Sequence, residues 1–91
     1  MAKVEVYSSK FCGFCVRAKN FLNKKGIDFI EYDVTFDSTK RGEMTARAKG
    51  RTSVPQIFID NKGIGGCEEL FELDFDDELD PLLGIGDQLS L

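Results

Sequence analysis

Two cysteines three residues apart, Cys12 and Cys15, are the residues in this chain best placed to do chemistry. On a helix such a pair shares one face, with α-carbons inside the roughly 4.4–6.8 Å window that a disulfide requires, so the sulfurs can bridge and open reversibly. A thiol at a helix start also meets unpaired backbone N–H groups and the positive end of the helix dipole, which favour thiolate over thiol. Lys10, two residues earlier, adds positive potential. Cys12 is therefore read as the nucleophile. Cys15, one turn further in and on the apolar side with Ala18 and Leu22, is read as the thiol that resolves a mixed disulfide.

Zinc is the alternative reading of any C-x-x-C pair, and it fails on count. With three cysteines and no histidine, one chain cannot supply the usual four nitrogen and sulfur ligands.

Such a pair needs a strand to lead into it and a helix to carry it. Val4 to Tyr7 alternates as a first strand, and Ser8 to Phe11 reads as a loop. From Cys12 to Lys25 apolar residues recur at helical spacing, with Gly26 as the stop. Ile27 to Val34 reads as a second strand, parallel to the first because a helix connects them. Asp37 or Ser38 caps a second helix running to about Lys49, with Gly50 beyond it. Val54 to Asp60 reads as a strand, Asn61-Lys62-Gly63 as a tight turn and Ile64 as the start of a returning strand. A last helical region opens near Cys67 after Gly65-Gly66, with a further turn or two around Leu79 to Leu83. The order β-α-β-α-β-β-α gives an α/β fold with a four-stranded mixed sheet flanked by helices. One domain is expected over residues 1–84, with 85–91 as a tail.

Composition narrows the function. The net charge of −4 is unevenly spread, 11 basic against 6 acidic residues in 1–53 and 1 against 10 in 54–91. The N-terminal half can receive an anion, whereas the acidic second half would repel a nucleic-acid backbone. No stretch approaches the roughly 20 apolar residues needed to cross a bilayer. An odd cysteine count without a secretory signal points to a reducing cytoplasm, so the expectation is a cytoplasmic protein with no nucleic-acid or membrane partner.

Three segments together, Cys12-Gly13-Phe14-Cys15, Thr52-Ser53-Val54-Pro55-Gln56-Ile57-Phe58-Ile59 and Gly65-Gly66-Cys67-Glu68-Glu69-Leu70, resemble the signatures of the glutaredoxins, closest to the small bacterial dithiol members. The resemblance runs from Val4 to about Leu83. It implies a thioredoxin-like fold, a cis bond between Val54 and Pro55 facing the thiols, and glutathione as reductant. It further implies an oxidoreductase of cell redox homeostasis, acting on protein disulfides and protein–glutathione mixed disulfides. Carried over by position, the loop of Ser53, Val54 and Pro55 would pair with the tripeptide through the Val54 backbone. Gly66, Cys67 and Glu68 would hold its γ-glutamyl end, and Phe14 would form a wall beside the thiol. Arg51 and Lys10 are the candidates for the glycyl carboxylate, ahead of Arg47 and Lys49. The physical reading agrees, since a helix start offers N–H groups to a carboxylate and a strand edge offers main-chain bonds to a peptide.

Each of these residues also has a plainer reading. Gly65-Gly66 serves equally as a turn joining strand to helix, Phe14 as a cover for the helix end, and Arg51 and Lys10 as surface cations. Cys67 reads as a small apolar residue at a helix start rather than a third catalytic thiol. The chain also departs from its resemblance, which usually has proline and tyrosine between the cysteines and a lysine at the place of Ser9. Gly13-Phe14 is instead the pair found in the monothiol branch that carries iron–sulfur clusters. That leaves an alternative: a [2Fe–2S] cluster held in a dimer by Cys12 and glutathione, the protein otherwise being a monomer.

Overall fold

The computed structural model describes residues 2–85. Its elements run β1 (Val4–Ser8), α1 (Gly13–Lys24), β2 (Ile30–Asp33), α2 (Ser38–Arg47), β3 (Gln56–Ile59), β4 (Lys62–Gly65), α3 (Cys67–Phe75) and α4 (Leu79–Leu83). The sheet order is β2-β1-β3-β4, with β1 parallel to β2, antiparallel to β3, and β3 antiparallel to β4. This is the four-stranded mixed sheet that the element order requires.

Alternation along β1 divides the interior into two layers. Val4 and Val6 face one side and meet Ile57 and Ile59 from β3, Ala18 and Leu22 from α1, Leu70 from α3, and Leu79 and Leu83 from α4. Tyr7 faces the other side with Phe58, Val34 and Met44 of α2. Helices cover both faces, so every residue of β1 is buried. Burial on both faces fixes the strand's register, since a slip of one residue would exchange its two side-chain sets.

The α2 face carries a buried charge. Glu5 is 4% exposed and accepts from Arg47 Nη2 at 2.9 Å, Arg47 Nη1 at 3.2 Å and the Tyr32 hydroxyl at 2.9 Å. The Arg47 guanidinium, first among these partners, holds the Glu5 carboxyl below its ordinary value against the opposing cost of burial. Arg47 also donates to the Tyr7 hydroxyl at 2.9 Å, and Tyr7 in turn donates to Glu43. Burial pushes the Tyr7 phenol up to about 12.

Several boundaries differ from the sequence reading, each for a local reason. The expected strand from Ile27 shortens to Ile30–Asp33 because the end of α1 reaches further: Ile27 N–H bonds Leu22 C=O at 3.0 Å, with Gly26 at φ +73°. Ile27 is then buried as a core residue of the connection. The expected strand Val54–Asp60 likewise contracts to Gln56–Ile59. The hairpin turn lies one position earlier than expected, at Asp60 (φ +51°) and Asn61 (φ +68°). Two successive left-handed residues match the twist of the strands they join, and Asp and Asn tolerate that conformation best after glycine. Lys62 and Gly63, expected in the turn, belong to β4. The second helix ends at Arg47 with Ala48 as its cap, two residues short of Lys49. Ile85, assigned to the tail, bonds Asp80 C=O at 3.0 Å and packs against the core. The rest of the expected tail, 86–91, lies outside the described residues.

Replacing Arg47 by Met leaves the Glu5 carboxylate buried without its cation and is expected to cost about 3 kcal/mol at neutral pH. Because the folded-state Glu5 is depressed, its contribution is present above the ordinary carboxylate range and is lost as pH falls through its lowered value. The gap between wild type and R47M, read by urea unfolding, should therefore narrow as pH falls below about 4.

Candidate active site

Parallel strands put their following loops at one end of the sheet, so the connections after β1 and β2 lie side by side, and the segment entering antiparallel β3 joins them there. Cys12 stands at the first of these, as the N-cap of α1 with extended backbone (φ −121°, ψ 110°). Its sulfur accepts from the Cys15 N–H at 3.2 Å. On the other side, the Cys12 thiol lies 3.5 Å from the Val54 carbonyl and donates to it. The nucleophile thus sits between a helix start and the segment 53–55.

Cys12 is partly exposed while Cys15 is fully buried, and both are free thiols. Burial, reinforced by the hydrogen bond to Cys12, pushes the Cys15 thiol up to about 12. The pair is therefore unequal in the sense expected. Cys12 is reachable from solvent, and Cys15 is not.

Segment 52–55 is held by side chains from two directions. The Gln56 side-chain amide donates to Ser53 C=O at 3.0 Å and Ser53 Oγ at 3.2 Å. Arg41 of α2 donates to Thr52 C=O at 3.2 Å. The Val54–Pro55 bond is cis, as the resemblance implied, and Val54 stands outside the β3 ladder, which begins at Gln56. Gly66 lies against this bend: a Cβ there would come within 3.0 Å of the Pro55 carbonyl. At Gly65, φ +105° favours glycine, and a Cβ there would lie 2.8 Å from the Glu69 side chain, which would have to shift.

A cleft of about 1120 Å³ runs from this bend along α3. It is lined by Phe14, Arg51, Ser53, Val54 and Pro55 on one side and Gly66, Cys67 and Glu68 on the other, which brings eight of the nine expected binding residues together. Lys10 is the exception. It does not line the cleft, and its backbone amide bonds Thr35 Oγ1 at 2.8 Å on the β2 side. Of the less favoured cations, Arg47 is committed to Glu5 and Tyr7.

The helix start at Gly66 differs in one respect from the open anion site expected. The Gly66 N–H already donates to Glu69 Oε1 at 2.7 Å, closing half of a capping box. That bond, more than any other contact, holds the Glu69 carboxyl below its ordinary value. Glu69 Oε2 also lies 3.7 Å from Arg51. What remains for an incoming carboxylate are the Cys67 and Glu68 N–H groups, which helix geometry leaves without intrahelical partners. Cys67 itself is 6% exposed, and burial raises its thiol above the ordinary value.

Sequence reasoning missed Arg17, Glu69, Phe71 and Phe75, all of which line the cleft. Two of these were readable. Glu69 stands three residues after the Gly66 cap, and Arg17 stands three after Phe14 on the same flank of α1. Arg17 lies 5.3 Å over the Phe71 ring, and Phe21 packs edge-on against that ring at 4.8 Å.

The comparisons with known proteins decide the family. The glutaredoxin family model matches residues 4–64. Over 83 residues the chain is 51% identical to glutaredoxin 3 of Escherichia coli K12, covering 91% of this chain and 99% of that protein. The chain belongs to the glutaredoxin family. A probable glutaredoxin of Synechocystis is 54% identical over 82 residues, 90% of this chain and 75% of that one. Among solved structures, a buckwheat glutaredoxin–glutathione complex superposes with a TM-score of 0.81 at 29% identity, covering 91% and 77% of the two chains. The glutaredoxin of Brucella melitensis superposes at 0.79 with 41% identity, covering 91% and 89%. As a glutaredoxin with this dithiol, the protein is a thiol–disulfide oxidoreductase of thioredoxin-like fold.

A [2Fe–2S] cluster, the alternative carried by Gly13-Phe14, needs four thiolate ligands or their equivalents. Cys15 and Cys67 are buried, and among the described residues no group of three or more Cys, His, Asp or Glu is gathered to hold a metal. One chain offers Cys12 as its accessible thiol, which is the single ligand that a dimeric arrangement completed by glutathione would take from each protomer.

Brief treatment of the reduced, folded protein with iodoacetamide at pH 7 should add one carbamidomethyl group, at Cys12. Cys15 and Cys67 should react only after unfolding, as peptide mass mapping would show; comparable labelling of Cys15 in the folded state would contradict its burial.

Proposed function

We propose that this glutaredoxin uses glutathione to reduce protein–glutathione mixed disulfides and protein disulfides, with Cys12 attacking and Cys15 resolving. The observation that carries this reading is the exposed Cys12 sulfur, bonded by the Cys15 amide and standing beside a cleft that ends in free helix-start N–H groups. The buckwheat relative was solved as a complex with glutathione, which supports the choice of reductant.

For a mixed disulfide, the Cys12 thiolate attacks the glutathionyl sulfur. A Cys12–glutathione disulfide forms, and the substrate protein leaves as its thiolate. A second glutathione thiolate then attacks the glutathionyl sulfur, releasing oxidised glutathione and restoring Cys12. One disulfide is reduced and one formed. For a protein disulfide, Cys12 attacks one substrate sulfur and the other leaves as a thiolate; Cys15 then attacks the Cys12 sulfur of that mixed disulfide and expels the bonded substrate sulfur as the second thiolate. Two glutathione molecules afterwards reduce the Cys12–Cys15 bridge.

The cleft residues bind rather than react. The Val54 backbone is placed to pair with the tripeptide, the Cys67 and Glu68 N–H groups to receive its γ-glutamyl carboxylate, and Arg51 its glycyl carboxylate. In this reading the working unit is a monomer, with the site carried by one domain over residues 1–84, in the reducing cytoplasm.

Turnover of the glutathione mixed disulfide of 2-mercaptoethanol, coupled to glutathione reductase and NADPH, tests the scheme. C12S should lose at least a hundredfold. C15S should keep most of this activity, since glutathione resolves the intermediate, yet lose most of its ability to reduce a protein disulfide. Negligible wild-type turnover, or full activity in C12S, would overturn the proposal.

A further inference from the structure

The cleft occupies only one side of Cys12. Sheet order places β3 and the segment 53–55 on one side of β1, and β2 with its following loop on the other. The β2 side is tied closely to the nucleophile's loop: Val34 N–H bonds Ser8 C=O at 2.8 Å, Lys10 N–H bonds Thr35 Oγ1 at 2.8 Å, and Thr35 Oγ1 bonds Ser9 Oγ at 3.4 Å. Phe11 and Phe36 each follow directly after one of the residues joined by the Lys10–Thr35 bond. They are 83% and 86% exposed.

The flanks of α1 show the same division. Phe14, Arg17 and Phe21 share the flank toward the cleft and α3, where Arg17 and Phe21 meet Phe71. Lys19 takes the opposite flank and pairs with Glu31 of β2 at 2.7 Å. Val16 lies three residues before Lys19 on that flank and is half exposed. Phe11, Val16 and Phe36 are therefore three exposed apolar residues carried by the elements on the side of Cys12 away from the cleft, a broken apolar collar set by chain position.

Nothing in the core needs these side chains, and two phenylalanine rings left almost wholly in water mark an interaction surface in preference to a packing one. The reaction names the occupant. A thiol–disulfide oxidoreductase must bring a foreign sulfur to within bonding distance of Cys12, and the polypeptide carrying that sulfur cannot avoid the residues around it. With glutathione assigned to the cleft, the free approach for a polypeptide is over the collar.

We propose that Phe11 and Phe36, with Val16, are specificity-determining residues that select protein substrates whose reactive cysteine is flanked by apolar side chains. The inference rests on the proposed function, on attack by Cys12 and on glutathione in the cleft for the side of approach, and its test omits glutathione so that failure of the one is distinguishable from failure of the other. Partial burial of two exposed phenylalanines supplies roughly a tenfold preference.

The test uses single-turnover attack by the prereduced protein, with no glutathione present. Two synthetic decapeptides each carry one cysteine as a mixed disulfide with thionitrobenzoate, flanked by Leu and Phe in one and by Ser and Gly in the other. Cys12 attacks the peptide sulfur, a Cys12–peptide disulfide forms, and the thionitrobenzoate thiolate leaves and is followed by its colour. Rates are normalised to those of free 2-mercaptoethanol with the same peptides. Wild type should prefer the apolar-flanked peptide about tenfold. In the F11S/F36S double variant the ratio should fall to within twofold of one, while its rate with N-acetylcysteine thionitrobenzoate disulfide and its thermal midpoint stay unchanged. A wild-type ratio near one, or a ratio preserved in the double variant, would overturn the inference. Failure of glutathione to support turnover would instead count against the proposed reductant and leave this ratio readable.

Discussion

The sulfur of Cys12 is both the cap of α1 and the atom proposed to react, and the site is organised by that coincidence. A neutral thiol is a weak hydrogen-bond acceptor and a poor cap compared with the oxygens of Ser, Asp or Asn, whereas a charged sulfur accepts far more strongly. The N–H it engages is that of Cys15, so the nucleophile and the resolving residue are joined through the helix backbone before any disulfide forms. On its other side the Val54 carbonyl accepts from the thiol. The sulfur thus stands between a backbone donor and a backbone acceptor.

Sheet order does the rest of the positioning. β1 is central, buried on both faces, and delivers Cys12 to the middle of one end of the sheet. Neighbours on either side then acquire different roles without any further device: β3 brings the bend at Pro55 and, through the hairpin, the glycines that open α3; β2 brings the loop bearing Phe36. A buried ion pair between Glu5 and Arg47 fastens α2 to the central strand, and Arg41 from the same helix reaches Thr52 just before the bend. The face remote from the thiols is in this way mechanically connected to the segment that contacts them.

Most of the chemistry was legible in the sequence because it lies in local spacing. Cys12 and Cys15 three apart, a β-α-β frame and a glycine pair before an apolar helix are all short-range patterns, and all stand where they were expected. What escaped was contact between distant segments. Lys10 precedes the nucleophile by two residues and looked like a cleft cation, but its amide is bonded to Thr35 and directs that loop toward β2. Phe71 and Phe75 carry no signal in the sequence beyond being apolar; in the fold Phe71 meets Phe21 of α1 and both line the cleft. The hairpin turn was misplaced by one residue because Gly63 is the stronger turn residue by type. The observed turn instead uses left-handed Asp60 and Asn61, and leaves Gly63 under the Phe58 ring, where a Cβ would come within 3.0 Å.

The balance of charge in the cleft bears on how tightly a reductant should bind. Two cations, Arg17 and Arg51, face four carboxylates, Glu68, Glu69, Glu72 and Asp76. One of those carboxylates, Glu69, takes the Gly66 N–H and lies against Arg51, two of the groups an anionic tripeptide would use. Side-chain charge alone therefore repels such a ligand on balance, so in the proposed binding the backbone at Val54 and the two remaining N–H groups at the start of α3 would have to add to what Arg51 supplies. Hydrogen bonds of that kind contribute about 1–3 kcal/mol each when the partner is charged, enough to orient a ligand but not to trap it. For a co-substrate that must enter reduced and leave oxidised in every cycle, weak and oriented binding serves turnover better than affinity, since tight ground-state binding would deepen the well from which each attack must climb.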